Sequence, residues 1–268
     1  MKEKYDRIGL GYQQTRKADA FLVEQFFRYL QASAKKQYLD IGSGSGNYTI
    51  ALAQKGLSIF GVEPSDHMLQ LARQNDQHIQ WIKGKAEQLP LAAACVDGAM
   101  AGLTIHHWTD LAQGFQEIFR VLKPGAPFVI FTSTPRQMQG YWLNHYFPKM
   151  LARSIHQMPR QAIITQHLTK AGFTQLQCEA YAVRPDLEDL FLYAGKDRPA
   201  LYFEAAVRRG ISSFADLANR EEVNQGLAQL KNDLANGQFS SIQRQYHHTA
   251  GDYLFVSAQK PIVTSEHF

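Results

Sequence analysis

The chain has 268 residues, of which 45% are hydrophobic and 19% charged, with a net charge of +4. Such a composition belongs to a globular protein that can bury roughly 70–75% of its unfolded surface, which excludes a disordered or fibrous chain and the need for a disulfide or metal staple. The mild basicity lacks the long Lys/Arg run of a phosphate-binding stripe, and no apolar stretch reaches the length of a membrane span.

Cys95 and Cys178 stand far apart, in no pairing or metal-binding pattern. The first residues, Met1 to Asp6, contain no apolar core of a signal peptide. Both features lead us to expect a reducing, cytoplasmic setting.

Taken in chain order, the first predicted element is a helix over 19–33, with Phe21, Leu22, Phe26, Phe27 and Leu30 at helical spacing. A short strand, 38–41, enters a glycine-rich turn and a helix over 48–54. A second strand, 58–63, and a helix, 65–74, follow. Weaker strands are expected at 79–82 and 97–103. A helix over 111–122 stops at Pro124-Gly125, and PFVIFT (127–132) is a continuous apolar strand of the kind found at a sheet centre. A helix is expected over 139–152, another over 160–171 and a strand over 174–182. The last strand is expected over 252–258. Alternation of this kind predicts βαβ units and a parallel sheet. About 70 residues between the last two strands read as helical, with Phe191, Leu192, Tyr202, Phe203, Leu227, Leu230 and Leu234 as apolar faces. That is too long for a connection and suggests an inserted cap.

The turn Asp40-Ile41-Gly42-Ser43-Gly44-Ser45-Gly46-Asn47 departs from the dinucleotide fingerprint, because Asn47 stands where its last glycine would be. Asp40 ends the strand where a carboxylate would repel a pyrophosphate. It would attract a ligand carrying ammonium and sulfonium charge. The same residues also suit a plain strand–turn–helix junction. Glu63 ends the second strand at an offset suited to ribose hydroxyls, or serves as a helix-start charge before Pro64-Ser65. The polar loop 84–90 lines an adenine pocket or is simply surface.

Together, YLDIGSGSGNYT, GVEPSDHML, GKAEQLPL, LTIHHW and FRVLKPGAPFVIF resemble the class I S-adenosylmethionine-dependent methyltransferases. Within that class the likeness is to the type 11 branch, which includes ubiquinone/menaquinone-biosynthesis and trans-aconitate methyltransferases. It covers about residues 1–135. It implies a Rossmann-like α/β fold: a seven-stranded, mostly parallel sheet with helices on both faces and an antiparallel last strand. It also implies S-adenosyl-L-methionine as cofactor. Asp40, Gly42 and Gly44, with Ser43 between them, match the positions that hold the methionine part. Glu63, followed by Pro64, matches the ribose-binding position. Ala86 and Glu87 match the adenine site, and Leu103 a position beside the cofactor. Tyr5 to Tyr12 and Arg16 resemble the family's leading flap. The tyrosines, Tyr12 among them, would shield the methyl donor and Arg16 would pair with a carboxylate; the segment also suits a solvated N-terminal arm with its aromatics anchored in the core.

The expected organisation is a flap and helix over 1–34, a cofactor-binding core over 35–183, a helical cap over 184–240, and a closing strand and tail over 241–268. His106 and His107 follow the fourth strand. A histidine there could deprotonate an acceptor or be purely structural. From an extended chain only one of the two can face a pocket, and His107 is our choice as catalytic residue. Tyr141, Trp142, His145 and Tyr146 line the acceptor site or pack a helix. No metal is expected. Thr104-Ile105-His106-His107 stands where DNA amino-methylating enzymes carry an Asp/Asn-Pro-Pro-aromatic motif, so DNA is not expected and neither is a membrane. A small-molecule acceptor is favoured. The alternatives are an RNA or protein methyltransferase, a binding module without turnover, and, weakest, an NAD dehydrogenase. Neither the acceptor nor the oligomeric state can be read from the sequence.

Overall fold

A computed structural model describes residues 15–262. The elements begin with α1 (Ala20–Tyr29), β1 (Gln37–Ile41), α2 (Asn47–Gln54), β2 (Ser58–Glu63) and α3 (Asp66–Asn75). Then come β3 (Trp81–Lys83), β4 (Gly98–Gly102), α4 (Leu111–Val121) and β5 (Pro127–Thr132). Three short helices, α5 (Pro135–Met138), α6 (Leu143–Tyr146) and α7 (Pro148–Gln157), lead to α8 (Gln161–Ala171) and β6 (Thr174–Tyr181). The chain continues through α9 (Ala205–Arg209), α10 (Arg220–Ala235) and α11 (Phe239–Gln245) to β7 (Tyr253–Gln259).

The strands form one seven-stranded sheet in the order β3-β2-β1-β4-β5-β7-β6. All pairs are parallel except those of β7, which runs antiparallel to both neighbours. The period-2 geometry of a strand sorts its residues between two cores. Phe128 and Ile130 join Leu39, Phe60, Phe115 and Leu168 on one face. Val129 and Phe131 join Tyr38, Phe26, Trp142 and Phe255 on the other. With helices on both faces, every residue of β5 is buried, which is why that segment reads as an unbroken apolar run.

Capping residues mark the starts of α1, α3 and α4. Asp19 accepts from the Leu22 amide, Ser65 from Met68 and Asp110 from Gln113. The start of α7 is capped from a distance: Glu222 Oε1, on α10, accepts from the amides of Lys149 at 2.6 Å and Met150 at 3.1 Å.

Two expectations need correction. The expected single helix over 139–152 is instead a turn over 139–142, then α6 and the start of α7, with Gly140 in the turn and Pro148 at the second break. Pro148 lacks an amide hydrogen and starts a new helix at its first position. The segment after β6 is only partly helical. Residues 184–198 run as turns and loops, Pro199–Phe203 is a 3₁₀ turn and Ser213–Leu217 a π turn. Aromatic spacing over this stretch marked buried side chains such as Phe191 and Tyr202 without marking helix. No helix among the described residues is long and apolar enough to cross a membrane.

Candidate active site

β1 is followed in chain order by β2 on one side, and β4 by β5 on the other, so the connections leave β1 and β4 in opposite directions. A crevice opens at such a switch point, at the carboxyl ends of the strands. The two strand ends approach closely. A Cβ on Gly42, which has φ +68°, would lie 2.8 Å from Thr104 Cβ. Glycine alone fits that contact and that backbone angle. Gly44 and Gly46 also have positive φ, and around Gly44 the space is open.

A cavity of about 280 Å³ occupies this crevice. Asp40, Ser43, Gly44, Glu63 and Pro64 line one part, with Ala86 and Glu87 from the loop after β3 and Leu103 after β4. The sequence-predicted residues from residue 16 onward therefore share one cavity. Tyr12 and the rest of the segment from Tyr5 lie outside the described residues.

The Asp40 carboxylate accepts from Thr49 Oγ1 at 2.6 Å, and burial pushes its pKa up to about 7 despite that bond. Glu63 Oε2 accepts from the Gly44 amide and Oε1 from the Ser65 amide, both at 3.0 Å. It braces the glycine turn and the start of α3, as the helix-start reading expects, and also lines the cavity. Glu87 Oε1 accepts from the Thr109 amide at 2.6 Å and so ties the β3 loop to the turn after β4.

The histidines depart from expectation. Ile105–His107 is a 3₁₀ turn, so the alternation of an extended chain does not apply, and both His106 and His107 line the cavity with ring centroids 3.9 Å apart. Of the aromatic residues after β5, Tyr141 lines the cavity. Trp142 and Tyr146 are buried in the core, and His145 bonds with Gln229. Among the described residues there is no cluster of His, Cys, Asp or Glu that could hold a metal.

Tyr48 and Asp189 also line the cavity and were not foreseen. Arg16 finds its carboxylate in Asp189, donating from Nε and, at 3.1 Å, from Nη2. Tyr48 donates to the same carboxylate at 3.1 Å, and Asn47 Nδ2 donates to the Arg16 carbonyl at 2.8 Å. This clasp joins the chain before α1, the helix after the glycine turn and the loop after β6. Asp189 sits in the sequence as one of several acidic residues in a loop, with no spacing to mark it.

Residues 39–130 match the family model described as "Methyltransferase domain". A solved structure from Anabaena variabilis, named for a methyltransferase assigned to an antibiotic biosynthesis pathway, is 35% identical. The match covers 91% of this chain and 99% of that one, with a TM-score of 0.82. The chain belongs to the class I S-adenosylmethionine-dependent methyltransferases, in their type 11 branch. Demethylmenaquinone methyltransferase of Chlorobaculum tepidum is 28% identical over 170 residues, which cover 56% of this methyltransferase and 70% of that protein. Phosphoethanolamine N-methyltransferase 2 of Haemonchus contortus, solved with S-adenosyl-L-methionine, shares the fold at a TM-score of 0.62 and 19% identity. The match covers 94% of this chain and 56% of that one.

S-adenosyl-L-methionine is the cofactor of this methyltransferase. Its residues fit that molecule: two carboxylates face one cavity, Ser43 Oγ is buried there with no hydrogen-bond partner among the described residues, and the space over Gly44 is open. That donor set suits a ligand with hydroxyls and positive charge, and would repel a pyrophosphate.

Proposed function

We propose that this methyltransferase acts on a small-molecule acceptor enclosed beside the cofactor. The observation that carries this reading is the continuity of the cavity. Beyond the cofactor-side residues its lining continues over Phe131 and Ser133 at the end of β5, Tyr253 at the start of β7, and Met138, Ser154 and Ile211 from the segments after β5 and β6. Residues 184–240 act in this reading as a cap whose inner side completes the site.

When bound, S-adenosyl-L-methionine supplies an electrophilic methyl group on a sulfonium centre. The chain's own residues bind, align and exclude water. Asp40, with the backbone at Gly42, Ser43 and Gly44, holds the amino-acid end, and Glu63 beside Pro64 holds the ribose hydroxyls. Ala86 and Glu87 would flank the base, and Leu103 would lie beside the cofactor. Positioning of this kind can supply much of the barrier reduction for an in-line displacement. Where the acceptor carries a proton, His107, which lines the cavity beside His106, would take it. The Arg16–Asp189 clasp holds the chain before α1 against the cap, which keeps water from the site.

The experiment supplies the protein with methyl-labelled S-adenosylmethionine and either a low-molecular-weight cell extract or the RNA and protein fractions. Label entering the small-molecule fraction supports the reading. Label entering RNA or protein alone overturns it.

A further inference from the structure

We propose that the acceptor is a neutral, mostly apolar molecule, and that one hydrogen-bond-accepting group on it is recognised by the paired hydroxyls of Ser154 and Ser213. This rests on the reading of the cavity as a cofactor site with an adjoining acceptor site.

The charge inventory of the cavity supports neutrality. Among the described residues, the Asp, Glu, Lys and Arg side chains that line it are Arg16, Asp40, Glu63, Lys85, Glu87 and Asp189. Asp40 and Glu63 stand at the strand ends beside the glycine turn, and Lys85 and Glu87 lie on the loop after β3. Near the acceptor part there remain Arg16 and Asp189, whose charges cancel in the clasp with side chains 12% and 1% exposed. Apart from the histidines of the β4 turn, that part is lined by Phe131, Phe191, Tyr253, Met138, Met158 and Ile211. Of the tyrosine hydroxyls nearby, Tyr253 accepts from the Tyr193 amide, and Tyr141 bonds to Ser133 and the Asp252 carbonyl. An acceptor bearing a full charge would lose its hydration here and, outside the two histidines, find no counter-charge among the described residues.

Against that apolar lining, the serine pair stands out. Ser154 lies on α7 and Ser213 opens the π turn, a kind of helical irregularity that often occurs at functional sites. Both side chains line the cavity in otherwise buried residues, and their oxygens are 2.9 Å apart. Two hydroxyls carry two hydrogens and share one. The second has no acceptor among the described residues, so the pair offers a donor into the cavity. A carbonyl or hydroxyl oxygen on the acceptor would satisfy it, because a polar group buried without a partner is costly.

The test uses calorimetry on the full chain saturated with S-adenosylhomocysteine near neutral pH. The probes are 2-naphthol, naphthalene, 2-naphthoate and 2-naphthylmethylammonium. We expect 2-naphthol to bind and the two charged probes to bind at least roughly tenfold more weakly, since burying their charge is unfavourable. Ser154→Ala and Ser213→Ala should each weaken 2-naphthol about five- to tenfold, the scale of one hydrogen bond, and leave naphthalene unchanged. Ile211→Trp should abolish binding of 2-naphthol, and all three variants should retain S-adenosylhomocysteine. Equal or tighter binding of a charged probe, binding of none of the probes, or serine variants that affect naphthalene and 2-naphthol alike would overturn the proposal. Failure of S-adenosylhomocysteine itself to bind would instead remove the cofactor reading beneath it.

Discussion

Replacing Asp189 by alanine tests whether the clasp holds the cap to the core. The substitution leaves the Arg16 guanidinium in a site where its side chain is 12% exposed, facing a partner position that is 1% exposed. Removing one member of a buried ion pair costs about 3–5 kcal/mol. The residual exposure of Arg16 lets some water reach it and places the value near the lower end. Tyr48 also loses its acceptor, worth about 1 kcal/mol, although neighbouring effects of this kind do not add fully. We therefore expect a loss of roughly 3–4 kcal/mol, read from urea unfolding as a lower midpoint with an unchanged slope. The double variant Arg16→Met/Asp189→Leu should recover most of it, because apolar replacement of both charges removes the buried guanidinium along with the carboxylate it loses. A loss below about 1 kcal/mol, the level of an exposed pair, would refute the reasoning. So would a double variant no more stable than the single one.

Gly42→Ala should cost about 2–4 kcal/mol from a positive φ and the collision with Thr104; adding Thr104→Gly should relieve the collision but not the backbone strain, as unfolding of the two variants would show. Glu63→Ala should weaken S-adenosylhomocysteine by about 1.5–3 kcal/mol in calorimetry, and unchanged affinity would reduce the residue to its brace on Gly44 and Ser65. Asp40 titrates near 7 in the folded chain because burial disfavours its ionised form. A raised carboxyl pKa contributes stability at pH values below the unfolded pKa near 4, and that contribution is lost as pH rises toward 7, by up to about 4 kcal/mol. Asp40→Asn should flatten that decline in pH-dependent unfolding, and parallel curves for the two proteins would rule the effect out. Glu222→Ala should destabilise by about 1–2 kcal/mol through the uncapped start of α7, as thermal unfolding would register.

Legibility in the sequence followed local physics. The strands at 58–63 and 127–132 were readable to the residue, since an apolar run bounded by breakers has few other uses. Asp40 and Glu63 were readable because a charge at the end of such a run needs a reason. The break at Pro148 was legible in principle, but the surrounding aromatic spacing outweighed it. The pairing of His106 with His107 was missed because extended-chain geometry was carried past the strand end at Gly102 into a 3₁₀ turn. Asp189, Ser154 and Ser213 carry no local signal. Their meaning comes from partners 173, 59 and 59 residues away, which only the folded chain brings together.

The antiparallel last strand also has a consequence for how the chain is made. β5 finds β7 as its neighbour on one side, paired from Thr132 with Leu254 to Pro127 with Gln259. At a synthesis rate of roughly 5–20 residues per second, the roughly 120 residues between them take about 6–24 seconds to emerge. During that interval the PFVIFT strand has β4 on one side and an open edge on the other. An apolar, β-prone edge free of charge is a template for pairing with another nascent chain. The helices made in the meantime, α5 to α11, bury β5's face but cannot satisfy its backbone edge. The sheet closes only when the segment from Tyr253 arrives, so a ribosome halted shortly before it leaves an aggregation-prone intermediate.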